Sequence, residues 1–489
     1  MNAITGADLS ALGPFLILAG GGVLLVLIDA ILGRRRTIPW SIPSVAILAV
    51  ALVDVLSLWS SPPHGGTLSW LVGTDRFSLF VSILVILSAA LAVILSESYL
   101  RRIGRMRGEF FALIFFSASG MVLFCSTTEL VGLFLGLELL SIPVYILSGY
   151  LRDDTKSGEA ALKYFLLGAF SSALFLLGIA LIYGATGTTS LRSAVAVGSD
   201  LAGVIQIGYL LLLTGFLFKI ASVPFHMWAP DVYEGAPTTV TAFMATAVKA
   251  AAFGALLRVI NAQHGFLPSF PLAQVLWWLA VLTMSLGNLA ALTQSNVKRM
   301  LAYSSIAHAG YLLVGVSVYA QTGDPQAVTS VLYYLLAYTF MTVGAFAVVV
   351  AFGDEHLDMG DYGGLGWRYP ALGLAMSLFM ISLAGIPPTA GFFGKYAIFR
   401  NAVAHGQVLL VVIAVLNSAL SVYYYFRVMV TLYMRPESAD VRVGGTVSAG
   451  LVVAVCVLVV LWAGFGPDGI LPGVPSILSW ARGSVPGLP

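Results

Sequence analysis

Charge is scarce in this chain. Asp, Glu, Lys and Arg together make up 9% of its 489 residues, against about 25% in an average soluble protein. So few charges cannot cover a soluble surface, which excludes a soluble enzyme, a nucleic-acid binder and a disordered chain. Cysteine is nearly absent: Cys125 and Cys456 stand far apart in apolar stretches. Neither a disulfide framework nor a metal–thiolate cluster can be built from them, and an iron–sulfur site held by cysteines needs about four. No Gly-x-Gly-x-x-Gly fingerprint follows a strand, and no haem-ligand pair stands out. Met1 to Gly13 carries Asp8 but no Lys or Arg. It lacks the basic start of a signal peptide, so the first apolar run is expected to stay as a membrane helix.

What the chain has instead is apolar length. Hydrophobic residues make up 59% and the mean hydropathy is +0.95. The unbroken runs suit helices of about 20 residues crossing a bilayer; a β-barrel would alternate apolar and polar residues. The expected fold is an all-α polytopic membrane protein with fourteen spans: 12–32, 39–60, 76–96, 109–126, 129–150, 157–184, 203–230, 237–260, 272–294, 298–319, 327–353, 369–401, 405–435 and 447–467. Span seven is broken at Ser222-Val223-Pro224, and span twelve at Gly385-Ile386-Pro387-Pro388. Loops carry turn residues, as in Ser61-Pro62-Pro63-His64-Gly65-Gly66.

Basic residues give an orientation. Of 24, fifteen fall on one side, among them Arg34, Arg35, Arg36, Arg101, Lys156, Lys298, Arg299 and Arg442. Five fall on the other: Arg76, Arg192, Arg258, Arg400 and Arg482. Lys163, Lys219, Lys249 and Lys395 lie within spans. The richer side is expected to face the cytoplasm, with both termini outside.

The chain resembles itself. Leu162-Lys163-Tyr164-Phe165-Leu166-Leu167-Gly168-Ala169-Phe170 is similar to Leu332-Tyr333-Tyr334-Leu335-Leu336-Ala337-Tyr338-Thr339-Phe340, at an offset of 170. Spans four to eight then match nine to thirteen. Five spans is an odd number, so the second copy enters from the opposite side as an inverted repeat. The chain divides into helices 1–3 over 1–108, a first five-helix unit over 109–260, a second over 261–435, and helix 14 with a tail over 436–489. In such folds, irregular backbone inside the membrane lines a site.

Charges inside spans are the strongest functional signal. A lysine at a helix centre costs roughly 2.5–3.5 kcal/mol on the insertion scale. Lys219 follows an apolar stretch and precedes the break at Pro224 by five residues. Desolvation favours its uncharged form, which suits a residue that takes up and gives up a proton. Lys249 lies midway along span eight among small residues, and Lys395 eight residues after Pro387. Glu138 sits in Leu135-Gly136-Leu137-Glu138-Leu139, and at the repeat offset it falls on His308. His308 reads equally as a proton relay or a packing residue, and His226, just past the first break, likewise. Lys163 has Glu159 four residues before it, the favourable order for a helical ion pair; a structural and a functional reading are even. The many Phe and Tyr residues read as packing and interface anchors.

At these residues the chain resembles a known family. The stretch Phe218-Lys219-Ile220-Ala221-Ser222-Val223-Pro224-Phe225-His226-Met227-Trp228-Ala229-Pro230-Asp231-Val232-Tyr233-Glu234-Gly235-Ala236-Pro237-Thr238 is similar to the antiporter-like membrane subunits of respiratory complex I, the NADH–quinone oxidoreductase. Phe134-Leu135-Gly136-Leu137-Glu138-Leu139 and Lys298-Arg299-Met300-Leu301-Ala302-Tyr303-Ser304-Ser305-Ile306 belong to the same pattern. The run Asp231 to Thr238 points to a shorter member of that family, and no lateral helix is expected after span fourteen.

The resemblance implies a bacterial inner-membrane subunit that moves protons while quinone is reduced elsewhere in the complex. It implies a pair of Glu138 and Lys219 whose contact changes during turnover. It implies a proton path over Lys219, Lys249, His308 and Lys395, completed by water. No cofactor is expected in this chain; FMN, iron–sulfur clusters, NADH and quinone belong to the whole complex. The implied partners are a neighbouring antiporter-like subunit, small membrane subunits and the lipid bilayer, with no nucleic acid. Two other readings compete: a subunit of a multisubunit cation/proton antiporter, which shares the fold, and a scaffold that only holds its neighbours. A scaffold gains nothing from intramembrane lysines.

Overall fold

The computed structural model describes residues 5–32, 39–61, 71–191, 201–263, 271–353, 356–437, 447–465 and 477–484. Arg34, Arg35, Arg36, Arg192, Arg442 and the loop 62–66 lie outside the described residues.

The described residues are helical apart from turns and isolated bridges. A short α1 (Gly6–Ala11) precedes α2 (Gly13–Leu32), α3 (Ser41–Ser60), α4 (Arg76–Arg102), α5 (Gly108–Ser126), α6 (Leu130–Ser148) and α7 (Thr155–Thr186). Then come α8 (Ala202–Lys219), α9 (Trp228–Gly235), α10 (Thr238–Phe243), a π-helical turn (Met244–Val248) and α11 (Lys249–Gln263). The second half holds α12 (Leu272–Leu292), α13 (Val297–Thr322), α14 (Pro325–Phe352), α15 (Leu365–Arg368), α16 (Pro370–Ala384), α17 (Ala390–Ala404) and α18 (Val408–Met434). The chain closes with α19 (Val447–Phe465) and α20 (Ile477–Ser484).

Among the described residues, thirteen helices are long and apolar enough to cross a membrane. The chain is a multi-pass membrane protein. The span expected over 369–401 is divided into α16 and α17, 15 residues each, at Gly385-Ile386-Pro387-Pro388. The sequence marks neither α1, α15 nor α20, because a helix of eight residues or fewer leaves little periodic signal.

Helix ends follow from capping chemistry. Asp75, Asp154, Asn296 and Asp324 accept backbone N–H groups at the starts of α4, α7, α13 and α14, satisfying donors that have no partner inside the helix. Asp154 and Asp324 stand 170 residues apart, the offset of the repeated segments. Two isolated bridges correspond at nearly that offset: Glu129 with Ser190, and, 167 and 168 residues further on, Asn296 with Asp358.

The core sits along the middle of the molecule. α14 and the segment Thr238–Gln263 are buried along their whole crossing. α2, α3 and α18 instead turn large apolar side chains outward, including Ile31, Val53 and Leu416, as lipid-facing helices do. Arg258 is buried and donates to Asp75 Oδ2 at 2.6 Å and to the Cys125 carbonyl at 2.8 Å. It thereby ties α11 to the start of α4 and the end of α5.

Candidate functional site

Both proline-marked breaks close the preceding helix alike. After α8, Ala221 takes a left-handed φ of 56° and the Ser222 N–H bonds the Leu217 carbonyl at 2.8 Å. After α16, Gly385 has φ 83° and the Ile386 N–H bonds the Ile381 carbonyl at 3.2 Å. Each is a Schellman-type ending, a left-handed residue followed by a bond reaching five residues back. The remaining carbonyls need donors. Trp228 supplies one, its indole N–H reaching the Phe218 carbonyl at 3.1 Å.

Lysines stand at both breaks. Lys219 is the last residue of α8 and is buried. Its Nζ donates to Tyr145 Oη at 3.2 Å and lies over the rings of Tyr145, Tyr164 and Phe218 at 5.0, 5.5 and 5.6 Å. Ring faces attract a cation, more strongly once water is excluded. Lys395, on α17, reaches back to the open end of α16. It donates to the carbonyls of Leu383 and Ala384 and to Ser418 Oγ, each at 3.0 Å. That end carries the negative pole of the α16 dipole.

Glu138 and Lys219 do not form the expected ion pair within 4 Å; Tyr145 takes the contact with Lys219 instead. Glu138 Oε1 is buried without a hydrogen-bond partner. Glu138, Ser141 and Tyr145 share one face of α6, at spacings of three and seven. Gly168 makes room for this arrangement, because a Cβ there would stand 2.1 Å from Tyr145 Oη.

Lys249 begins α11 after the π-helical turn and is buried. It donates to Ser305 Oγ at 2.5 Å and to the Ser305 carbonyl. Among the described residues no carboxylate pairs with it. Tyr338 Oη donates to the same Ser305 hydroxyl at 2.8 Å. His308 lies three residues further along α13, with Nδ1 2.5 Å from Tyr334 Oη and Nε2 3.0 Å from Tyr425 Oη. Tyr311 packs edge-on to His308 at 5.7 Å, and its ring lies 4.8 Å from Lys395 Nζ.

Between Lys219 and Ser305 runs an aromatic file. Tyr145 meets Tyr164 at 4.7 Å, Tyr164 stacks on Trp228 at 4.3 Å, and Trp228 meets Tyr233 at 6.1 Å. Tyr233 stands near Ser305 and Tyr338. Lys249, His308 and Lys395 are thus joined through Ser305, Tyr338 and Tyr311, and Lys219 stands at the head of the aromatic file, with Glu138 on the helix face that leads to Tyr145. His226 is not among these contacts; its Nδ1 is buried and unpartnered. Nor is Lys163, which pairs with Glu159 and Asp231 at 2.6 Å each, its side chain 40% exposed.

Reading tyrosines as packing anchors misses their part. Tyr145, Tyr334, Tyr338 and Tyr425 place hydroxyls against Lys219, His308 and Ser305. A signal existed, since the repeat sets Tyr164 opposite Tyr334. A second missed feature is the ion cluster on α9. Arg299 bridges Asp231 at 2.6 Å and Glu234 at 3.1 Å, and Lys156 reaches Glu234 at 2.9 Å. Burial alone would raise both carboxyls, but these basic partners and Lys163 hold them below the ordinary carboxylate range.

Comparison with known proteins decides the family. Residues 127–421 match the family model "NADH:quinone oxidoreductase/Mrp antiporter, TM". The chain is 45% identical to "NADH-quinone oxidoreductase subunit N" of Trichlorobacter lovleyi, covering 98% of this chain and 97% of that one. The chain belongs to the subunit N family of NADH-quinone oxidoreductase. A second subunit N, from Myxococcus xanthus, is 42% identical over 97% of this chain and 96% of its own. Among solved structures, a chain of respiratory complex I from Thermus thermophilus with bound aureothin is 37% identical, with a TM-score of 0.80 over 94% of this chain and 99% of that one. A chain of the Mrp complex from Dietzia sp. DQ12-45-1b superposes with a TM-score of 0.83 over 98% of this chain and 97% of its own. At 19% identity it shows a shared fold alone. Membership in the subunit N family, with an antiporter-like membrane domain, makes the chain a membrane subunit of the proton-translocating class.

Proposed function

We propose that this chain translocates protons as a non-redox membrane subunit of a complex that oxidises NADH and reduces quinone. The observation that carries this reading is the burial of Lys219, Lys249, His308 and Lys395, with Lys249, His308 and Lys395 joined through Ser305, Tyr338 and Tyr311. Lys249 and Lys395 are held there by neutral oxygens, and Lys219 by a hydroxyl and ring faces, so each can lose its proton without leaving a carboxylate bare. Moving one charge against 100 mV costs roughly 2.3 kcal/mol. Bringing Glu138 toward Lys219 or away from it changes their interaction by a few kcal/mol at an effective dielectric near 20. The two are comparable, so Glu138 is suited to drive the first transfer. FMN, the iron–sulfur clusters and the NADH and quinone sites belong on this reading to other subunits.

The same reading places the chain in a bacterial inner membrane with both termini outside. There it meets a neighbouring antiporter-like subunit, small membrane subunits and lipid. Matching caps, matching bridges and the two Schellman-type breaks support an inverted repeat of 109–260 and 261–435. The alternative, a subunit of a multisubunit cation/proton antiporter, draws support from the fold of the Mrp complex. Extraction of the tagged chain in mild detergent separates them. Co-purifying NADH–quinone reduction, with flavin and iron–sulfur absorbance, is the expected result. Recovery of small membrane subunits alone would favour the antiporter.

A further inference from the structure

Two arginines stand at matching places in the two proposed five-helix units. Arg258, in α11, donates through Nε to the Cys125 carbonyl at 2.8 Å, in the last turn of α5. Arg427, in α18, donates through Nη1 to the carbonyl of Leu292, the last residue of α12, at 3.0 Å. The arginines are 169 residues apart and the two carbonyls 167. Gly120 and Gly287, also 167 apart, let the same helix pairs meet closely. A Cβ on either would run into a backbone nitrogen of the next helix, at Leu140 or at Ala307. In the proposed orientation Arg258 stands at the outer end of the first unit, and Arg427 at the cytoplasmic end of the second.

What lies inward of each arginine differs. In the second unit a buried polar ladder runs from the turn beside Arg427 to Lys395. Tyr424 Oη donates to Asn288 Oδ1 at 2.8 Å, and Asn288 Nδ2 donates to Tyr311 Oη at 3.0 Å. The Tyr311 ring lies 4.8 Å from Lys395 Nζ. Leu292, which accepts from Arg427, is one helical turn past Asn288, and Arg427 itself is three residues past Tyr424. In the first unit the positions matching Asn288, Tyr311 and Tyr424 hold Met121, Val144 and Ala255, from which no such ladder can be built. Charge differs as well. Asp75 neutralises Arg258 at 2.6 Å. Among the described residues Arg427 is held only by the carbonyls of Leu292 and Gln294, and its Nε is buried without a hydrogen-bond partner.

A ladder of hydroxyls and amides that ends near the cytoplasm offers a proton at Lys395 a way back. We propose that Arg427 is a fixed electrostatic barrier at the cytoplasmic end of the α12–α18 ladder, which keeps protons that have reached Lys395 from slipping back. A guanidinium does not give up its proton in a protein, so it cannot relay one. Its charge, with no carboxylate beside it, repels an approaching proton, as an arginine does in a water-selective pore. Arg258, paired with Asp75 and facing apolar residues, has no leak to close and serves as a tie between helices. The inference rests on the proposed route through Lys395.

The test uses the intact complex, purified through a tag on this chain and reconstituted into liposomes that enclose a pH-sensitive dye. No NADH is added. A pH step imposed across the membrane should decay slowly with the native complex. Arg427→Gln keeps a donor for the α12 carbonyls but loses the charge. It should speed the decay about tenfold, the effect of one charge about 10 Å from a proton's path at an effective dielectric near 20. Arg427→Met should leak as fast, and Arg427→Lys should stay as tight as the native protein. Adding Asn288→Leu to Arg427→Gln cuts the ladder and should close the leak. Sodium release and NADH–quinone reduction should stay at native rates throughout. An assembled Arg427→Gln complex as tight as the native one would overturn the barrier. So would a leak that Asn288→Leu does not close, or one that carries sodium too, since both mark loosened packing. Failure of the proposed route reads differently: a native NADH-driven gradient with Lys395→Ala would overturn the pumping path, whereas the leak is measured without turnover.

Discussion

Lys249 donates to both oxygens of Ser305, and among the described residues no carboxylate shares that contact. A buried charge without a counter-ion is costly, and the two Ser305 oxygens are the partners Lys249 has in place of one. Ser305 also accepts from Tyr338, which packs against His308 at 5.2 Å. Ser305→Ala should therefore separate Lys249 from His308. A hydrogen bond to a charged group contributes about 1.5–3 kcal/mol, so proton pumping in inverted vesicles should fall about tenfold or more. NADH–quinone reduction by the assembled complex is the control; pumping at the native rate would show that Ser305 only packs.

Tyr145 is the α6 residue that contacts Lys219. Tyr145→Phe keeps the ring beneath Lys219 but removes the hydroxyl 3.2 Å from its Nζ. Assembly should survive and pumping should drop. Gly168→Ala should do the same indirectly, because its Cβ would overlap the Tyr145 hydroxyl. A double variant no worse than the worse single one would show that both act through one contact.

At the second break, Gly385 combines a φ of 83° with close approach to Lys395, whose Cδ would lie 2.9 Å from an added Cβ. Gly385→Ala should cost about 1–2 kcal/mol in backbone strain alone and should displace Lys395 from the α16 carbonyls. The check is the melting temperature of the purified complex together with its proton gradient. Ala221→Gly, at the first break, should raise the melting temperature or leave it unchanged.

The cluster of Asp231, Lys163 and Arg299 predicts a different phenotype. Asp231→Asn leaves two basic side chains sharing one fewer carboxylate near the surface. Exposed pairs contribute about 0–1 kcal/mol each, so stability should change little. If protons enter beside α9, the rate of gradient formation should fall while its final extent is kept. Stopped-flow dye traces distinguish rate from extent.

The spans were legible because a bilayer demands apolar runs about 20 residues long, and the observed helix ends fall within a few residues of the expected ones except where a helix is interrupted or runs on past a span. The titratable groups were legible because charge is costly in lipid. Lys219, Lys249 and Lys395 stand out from apolar neighbours, and the structure buries all three. What joins them was not legible. Tyr145, Tyr233 and Tyr425 carry no periodic or charge signal that separates them from packing aromatics, and Ser305 is one small residue within Ala302-Tyr303-Ser304-Ser305. Their roles depend on which helices meet, a property of packing across the two halves. The Lys163–Glu159 pair followed from helical spacing, whereas its third member, Asp231, comes from α9 across the break.

The most direct measurement is the proton gradient formed by inverted vesicles carrying Lys219→Ala, followed with a pH-sensitive dye and normalised to NADH consumed. The account predicts an assembled complex whose gradient is severely reduced. A gradient equal to that of the native complex, with Glu138→Ala equally without effect, would contradict it and leave the chain a scaffold.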